Sequence, residues 1–174
     1  RCNGARNWAA EVALSIAELD AKRHDRGAFD CGVEVLDRYL TNLATQHRAK
    51  GISTTFVLVS SDKPRDILGY YSLSAATLAL DQLSDADRKG LPTSPVPAVR
   101  IGRLATAIAS RGHRFGELLL QDAVRRALAA RGTLGVYAMV VEAKDSMAEA
   151  FCRKYGFRLC SARTRQLYLP LDHG

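Results

Sequence analysis

Val99-Arg100-Ile101-Gly102-Arg103-Leu104-Ala105-Thr106, then Ser110-Arg111-Gly112-His113-Arg114-Phe115-Gly116, decides how the chain is read. The first segment, from Ala98, has the character of a buried strand. The second leads into Gly116–Arg131, where Leu120, Ala123, Val124, Ala127 and Leu128 recur at helical spacing. A strand, a short loop and a helix start aim unpaired backbone N–H groups and the positive end of the helix dipole at one point. Arg111 and Arg114 add charge there, and Gly112 and Gly116 permit close backbone approach. A diphosphate fits such a loop. A plain βα connection, with glycines for turning and arginines in water, fits it as well. The loop is neither a Walker A motif nor a dinucleotide GxGxxG.

Working outward, 12–19 reads as a first strand, favoured over a short helix. Asp30 is placed to cap a helix carrying Val33, Leu36, Tyr39, Leu40 and Leu43 on one face and stopping near Lys50-Gly51. Strands at 54–59 and 67–75, joined by the turn Ser60–Pro64, predict a hairpin. Residues 81–97 form a polar connection holding three of the five prolines. After the strand and helix already described come a strand at 135–141, a helix at 146–155 with Ser146 and Glu149 at capping-box spacing, and one or two strands within 158–169. The order (β)αββ–loop–βαβαβ(β) is an α/β class with a central mixed sheet flanked by helices, in one domain spanning 1–174. Residues 1–10 show no periodicity and are expected to be disordered. Met147, Phe151 and Phe157 are expected in the core, and Tyr155 is read as packing. His24, His47 and His173 are assigned to the surface; His113 is expected to offer its backbone N–H.

The chain has 174 residues, 47% hydrophobic and 25% charged, with 13 Gly, which is ordinary globular composition. No apolar run approaches the roughly 20 residues of a membrane span, and no leader pattern opens the chain. Cys2, Cys31, Cys152 and Cys160 show neither CxxC nor zinc spacing. The composition thus argues against a disulfide scaffold, a metal module and a membrane protein, and the expectation is a soluble cytoplasmic domain. Residues 1–97 carry 12 Lys/Arg against 12 Asp/Glu; from 98 onward the balance is 13 against 6, so the whole net charge of +7 lies in the second half. That field suits nucleic acid or a phosphorylated ligand, the alternative being a solvated basic face.

Taken together, Arg111–Gly116 and Ala150-Phe151-Cys152-Arg153-Lys154-Tyr155-Gly156-Phe157 resemble the Gcn5-related N-acetyltransferases (GNATs), with their Arg/Gln-x-x-Gly-x-Gly/Ala acetyl-CoA loop and FYxKxGF helix. Phe29-Asp30-Cys31-Gly32, Gly69-Tyr70-Tyr71-Ser72-Leu73, Pro95-Val96-Pro97 and Gly102-Arg103-Leu104-Ala105 narrow this to a resemblance to the acetyltransferase toxins of bacterial type II toxin–antitoxin systems. It runs from about Phe29 to Leu171. The resemblance implies a GNAT-like fold and transfer of acetyl from acetyl-CoA, without a metal, to the α-amine of aminoacyl-tRNA, which stops translation. It also implies a cognate ribbon-helix-helix antitoxin, operator DNA bound only through that antitoxin, and a homodimer.

The resemblance assigns acetyl-CoA to Leu104, Ala105, Thr106, Arg111, Gly112, His113, Arg114, Phe115 and Gly116, with backbone N–H groups at Leu104 and Ala105 polarising the thioester. tRNA is assigned to Arg88, Lys89, Arg100 and Arg103. Two positions depart from the pattern. Arg114 stands where the loop has Gly, and a positive φ there would strain it. Cys152 stands where the family has its general-acid tyrosine, so the chain is read as an impaired enzyme. Loss of general-acid catalysis typically costs about 10²–10⁴-fold. The alternatives are a small-molecule or protein amine as acceptor, or a degenerate, non-catalytic binding module.

Overall fold

The computed structural model describes residues 12–160 and 165–172; the segment expected to be disordered, Cys2 and His173 lie outside them. Seven strands form one sheet in the order β1-β2-β3-β4-β5-β7-β6: β1 Leu14–Glu18, β2 Thr54–Ser60, β3 Gly69–Leu78, β4 Val96–Thr106, β5 Ala138–Glu142, β6 Arg158–Leu159 and β7 Gln166–Pro170. All neighbours are antiparallel except β4 and β5, which run parallel. The sheet is therefore mixed, as expected, and β2–β3 is the expected hairpin.

The two faces are covered differently. On one, α4 (Phe115–Ala130) and α5 (Ser146–Lys154) bury Leu119, Leu120, Ala123 and Cys152 against Leu58, Tyr71, Ile101 and Met139. On the other, the helical segment running from α1 (Glu34–Arg38) to α2 (Ala44–Ala49) packs Tyr39 and Leu40, between the two, and Ala44 of α2 against Val57, Tyr70 and Ala105. Beside them, the loop carrying α3 (Asp85–Arg88) packs Leu83 against Leu78, Val96 and Tyr168.

Several local expectations are corrected. The helix expected from Asp30 starts at Glu34. Asp30 accepts instead from Gly32 N at 2.9 Å, and Asp37 accepts from Cys31 N at 2.9 Å. Between α1 and α2 the backbone widens into a π-helical turn over Tyr39–Leu43, which periodicity cannot reveal. The cap of α5 is Asp145, whose carboxylate accepts from Ala148 N at 2.8 Å, so Ser146 is the first helical residue rather than the cap. Ser84 caps α3, so the 81–97 connection is not a bare loop. His24 is 5% exposed, its Nδ1 accepting from Asp20 N; His47 is half-buried, edge-on to Tyr39. Met147 is 81% exposed, since the stripe that packs α5 runs through Phe151 and Cys152 instead.

Two polar networks tie elements distant in sequence. Tyr71, fully buried in β3, donates to Asp122 of α4 at 2.5 Å, and Asp122 also accepts from Arg125 and from Arg126 Nε at 2.8 Å. Burial pushes the Tyr71 hydroxyl up and opposes ionisation of Asp122, yet the three donors hold the Asp122 carboxyl below its ordinary value. Asp87 of α3 binds Arg158 of β6, and accepts from Tyr168 of β7 at 2.6 Å.

Replacing Asp122 by Ala strands a buried phenol and an arginine, so urea unfolding should show a loss of about 3 kcal/mol; a change within 0.5 kcal/mol would refute the network's role. Arg158 chiefly holds the Asp87 carboxyl below its ordinary value. Its folded pKa lies below its unfolded one, so its contribution is complete above about pH 4 and is lost as pH falls through the lowered value. Asp87→Asn should therefore flatten the acid limb of a Tm–pH curve below about pH 4. An unchanged limb would remove Asp87 from the latch.

Candidate active site

The site begins where the parallel ladder stops. β4 and β5 pair only from Ala98 with Ala138 to Ile101 with Val141. β5 then ends at Glu142 and the chain turns into the Asp145 cap of α5, whereas β4 continues to Thr106 paired on β3 alone. From Gly102 onward, the N–H groups of β4 that point away from β3 have no ladder partner.

Two cavities that share lining residues lie at this opening. One of about 170 Å³ is lined by Gly102, Arg103, Leu104, Phe151 and Cys152, with Leu36 and Glu142 on its wall. The other, about 420 Å³, is lined by Leu104, Ala105, Thr106, Arg111 and Gly116, with Cys31 and Met147 opposite; Lys144 borders both. Thus Leu104, Ala105, Thr106, Arg111, Gly116 and Cys152, scattered over 49 positions of sequence, meet at one split.

Gly112, His113, Arg114 and Phe115 form the turn that delivers the start of α4. Gly112 has φ +87° and Arg114 φ +58°, so the strained left-handed conformation foreseen at Arg114 is present. Arg114 provides no side-chain cap, which leaves the first N–H groups of α4 open. His113 stacks on Phe115 with centroids 5.4 Å apart. Arg111 reaches back to the carbonyl of Cys31 at 3.4 Å, bracing the loop on the segment before α1. A Cβ at Gly116 would lie 3.7 Å from the Phe151 ring, an ordinary contact distance, so the start of α4 is next to α5. Uncapped N–H groups, two adjacent arginines and a strand edge with free N–H groups form a donor set that fits a diphosphate joined to an extended arm. Those are the features of coenzyme A.

Cys152 is 6% exposed and, like Leu104, lines the smaller cavity. Burial pushes its thiol up from the ordinary value, so it keeps its proton at neutral pH. Tyr155 points elsewhere, edge-on to Phe151 at 5.1 Å and outside both cavities, in keeping with a packing role.

The residues assigned to tRNA divide. Arg103 lines the mouth of the split, and Arg100 lies on the same strand. Arg88, paired with Asp85 at 2.6 Å, and Lys89 sit exposed on and just after α3, and the structure does not bring them to the split. Sequence reasoning missed Leu36, Glu142 and Lys144. For Lys144, its place directly before the Asp145 cap was the available signal; Leu36 and Glu142 carried none. Among the described residues, no group of three or more His, Cys, Asp or Glu is placed to share a metal ion.

No protein-family model matches the chain. The chain is 30% identical over 147 residues to a tRNA-acetylating toxin of Mycobacterium tuberculosis, covering 84% of this chain and 85% of that protein. A Tyr-to-Phe variant of KacT superposes with a TM-score of 0.85 at 32% identity, covering 91% and 95% of the two chains. AtaT complexed with acetyl-methionyl-tRNAfMet gives 0.84 at 28%, again over 91% and 95%. AtaT bound to the C-terminus of the antitoxin AtaR and acetyl-CoA gives 0.75 at 27%, over 91% and 94%. The fold, the split and this degree of similarity lead to one conclusion: the chain belongs to the tRNA-acetylating toxins, GNAT-fold acetyltransferases of toxin–antitoxin systems.

Proposed function

We propose that the chain transfers acetyl from acetyl-CoA to the α-amine of aminoacyl-tRNA, producing an amide that cannot attack the growing peptide and so blocking translation. The observation that carries this reading is the split at Ile101, which opens a free strand edge beside the start of α4. Acetyl-CoA supplies an activated acyl thioester. The start of α4 with Arg111 and Arg114 holds the diphosphate, and the edge of β4 from Leu104 to Thr106 holds the arm behind it. The backbone N–H of Leu104, which like that of Thr106 points away from β3, donates to the thioester oxygen, where negative charge grows as the amine attacks; that of Ala105 faces β3 and is taken up by the ladder. An α-amine titrates near 7.7–8.0, so much of it is neutral at cellular pH and no strong base is needed. The new C–N bond forms as the C–S bond breaks; the amine proton goes to water and the departing sulfur takes a proton.

That last proton is the weak step. We assign it to Cys152, whose side chain lines the smaller cavity, but its thiol is shorter than a phenol, and burial makes it a weaker acid still. We place the reaction in the cytoplasm, where charged tRNA is found; among the described residues, no helix is long and apolar enough to cross a membrane. A cognate antitoxin that binds the chain and carries it to operator DNA completes the reading, supported by the complexes of AtaT with AtaR and of that pair with DNA.

Labelled acetyl transfer to a mixed aminoacyl-tRNA pool tests it. Cys152→Tyr should react at least about 100-fold faster than the chain itself, since the cavity before Cys152 leaves room for a phenol; equal rates would remove Cys152 as the weak point. If both are silent while acetyl-CoA still binds, tRNA is not the acceptor. Arg114→Gly should relieve the left-handed cost, raising stability by about 1 kcal/mol, while weakening acetyl-CoA binding several-fold through the lost charge. Tighter binding by the glycine variant would show that Arg114 is a lesion rather than a ligand.

A further inference from the structure

Residues three apart on a regular strand face opposite sides of the sheet. Arg100 and Arg103 do not. Arg100 pairs with Ser74 and Arg103 with Ser72, while Ile101 pairs with Leu73, so Gly102 is an extra residue on β4. Ser72 and Ser74 share a face of β3, and directly opposed residues share a face as well. The bulge therefore turns Arg103 to the side of Arg100. A Cβ at position 102 would meet Ser72 Oγ at 3.1 Å.

On that face the guanidinium carbon of Arg103 lies 3.6 Å from the centroid of the Tyr39 ring. Tyr39 is rigidly held: it is 1% exposed, its hydroxyl is 2.7 Å from Ser53 Oγ, and its ring stacks on Tyr70 at an interplanar angle of 17°. One side of the guanidinium is thus covered by a fixed aromatic ring, while Arg103 as a whole is only partly buried. Among the described residues, neither Arg100 nor Arg103 has a carboxylate within 4.0 Å. Two arginines without acidic partners among the described residues, one of them held over a fixed ring beside the mouth of the split, suit a ligand offering both a planar ring and an anion.

We propose that the outer face of Arg103 is the stacking platform for the unpaired 3′-terminal base of the acceptor, and that Arg100 takes a phosphate of the same strand end. This rests on the function proposed above and names the part of the acceptor that the site grips. Unpaired bases stack on arginine planes as they do on aromatic rings. Holding the guanidinium on Tyr39 beforehand removes the rotamer entropy that binding would otherwise cost. A terminal nucleotide resting on Arg103 leaves its ribose ester, and the α-amine beyond it, next to Leu104.

A binding cycle on uncharged tRNA tests this, using intact tRNA and the same tRNA lacking its 3′-terminal adenosine. For the unsubstituted protein, removing the adenosine should weaken binding about tenfold, the scale of one base stack. Arg103→Lys keeps the charge but loses the plane, so the same removal should then change affinity less than about twofold. Tyr39→Phe keeps the ring and should retain the full dependence. Arg100→Gln should weaken both tRNAs equally and lower the salt slope by about one. An equal cost of adenosine removal in the unsubstituted protein and in Arg103→Lys would overturn the platform, and an unchanged salt slope in Arg100→Gln would overturn the phosphate contact. Both are binding measurements, so they leave the proposed function standing if they fail; absence of acetylated product from intact charged tRNA would overturn that function instead.

Discussion

The parting of β4 from β5 after Ile101 and Val141 is the constraint on which the rest of the site depends. A parallel pair satisfies backbone groups on both strands, and ending it leaves N–H and C=O groups that need other partners. Here β5 stops because Asp145 starts a helix, and the helix, not a strand, occupies the space beside the second half of β4. The unpaired edge is therefore a consequence of helix capping four residues after Val141. Everything that makes the opening a binding site is arranged around it: the start of α4 at one end, Cys152 on the wall of the smaller cavity, and Arg103 at the mouth.

Around that opening, the fold tolerates local cost. Arg114 occupies a left-handed conformation that ordinarily favours glycine, at roughly 1–2 kcal/mol. It persists because β4 fixes one end of the connection and the packing of Leu119, Leu120 and Ala123 fixes the other. The same packing buries Cys152. Its thiol sits in surroundings that discourage any charge, which is compatible with a core residue and poorly suited to repeated proton transfer. Position 152 is thus asked to serve both the core and the cavity, and a short side chain serves the core better.

The opposite face obeys a different logic. Tyr39, Tyr70 and Phe29 form an aromatic layer under α1, and Arg103 closes that layer with a cation rather than another ring. Its guanidinium is weakly hydrated and planar, so it can cover an aromatic surface and still face water. The π-helical turn at Tyr39–Leu43 belongs to the same arrangement, since Tyr39, its first residue, carries the ring that meets Arg103.

Alternation and helical spacing in the sequence were enough for the order of strands and helices, for a mixed sheet, and for a glycine loop feeding a helix. These are local properties, set by residues that touch neighbours in the chain. Local spacing also located Cys152 on a helix, whereas the strain at Arg114 was expected only from the resemblance to a family whose loop has Gly there. It did not place Met147 outside the core, nor bury His24, because each depends on what another element covers. The bulge at Gly102 is the clearest case: by simple alternation Arg100 and Arg103 face apart, and only the register with β3 brings them together. Leu36, Glu142 and Lys144 joined the site for the same reason, since the wall of a cavity is made by segments that meet in space. Sequence by itself determined which segments form and which chemistry they carry. Tertiary structure alone decided where the sheet opens and which side chains face the opening, because strand register and helix docking are long-range choices that no local pattern encodes.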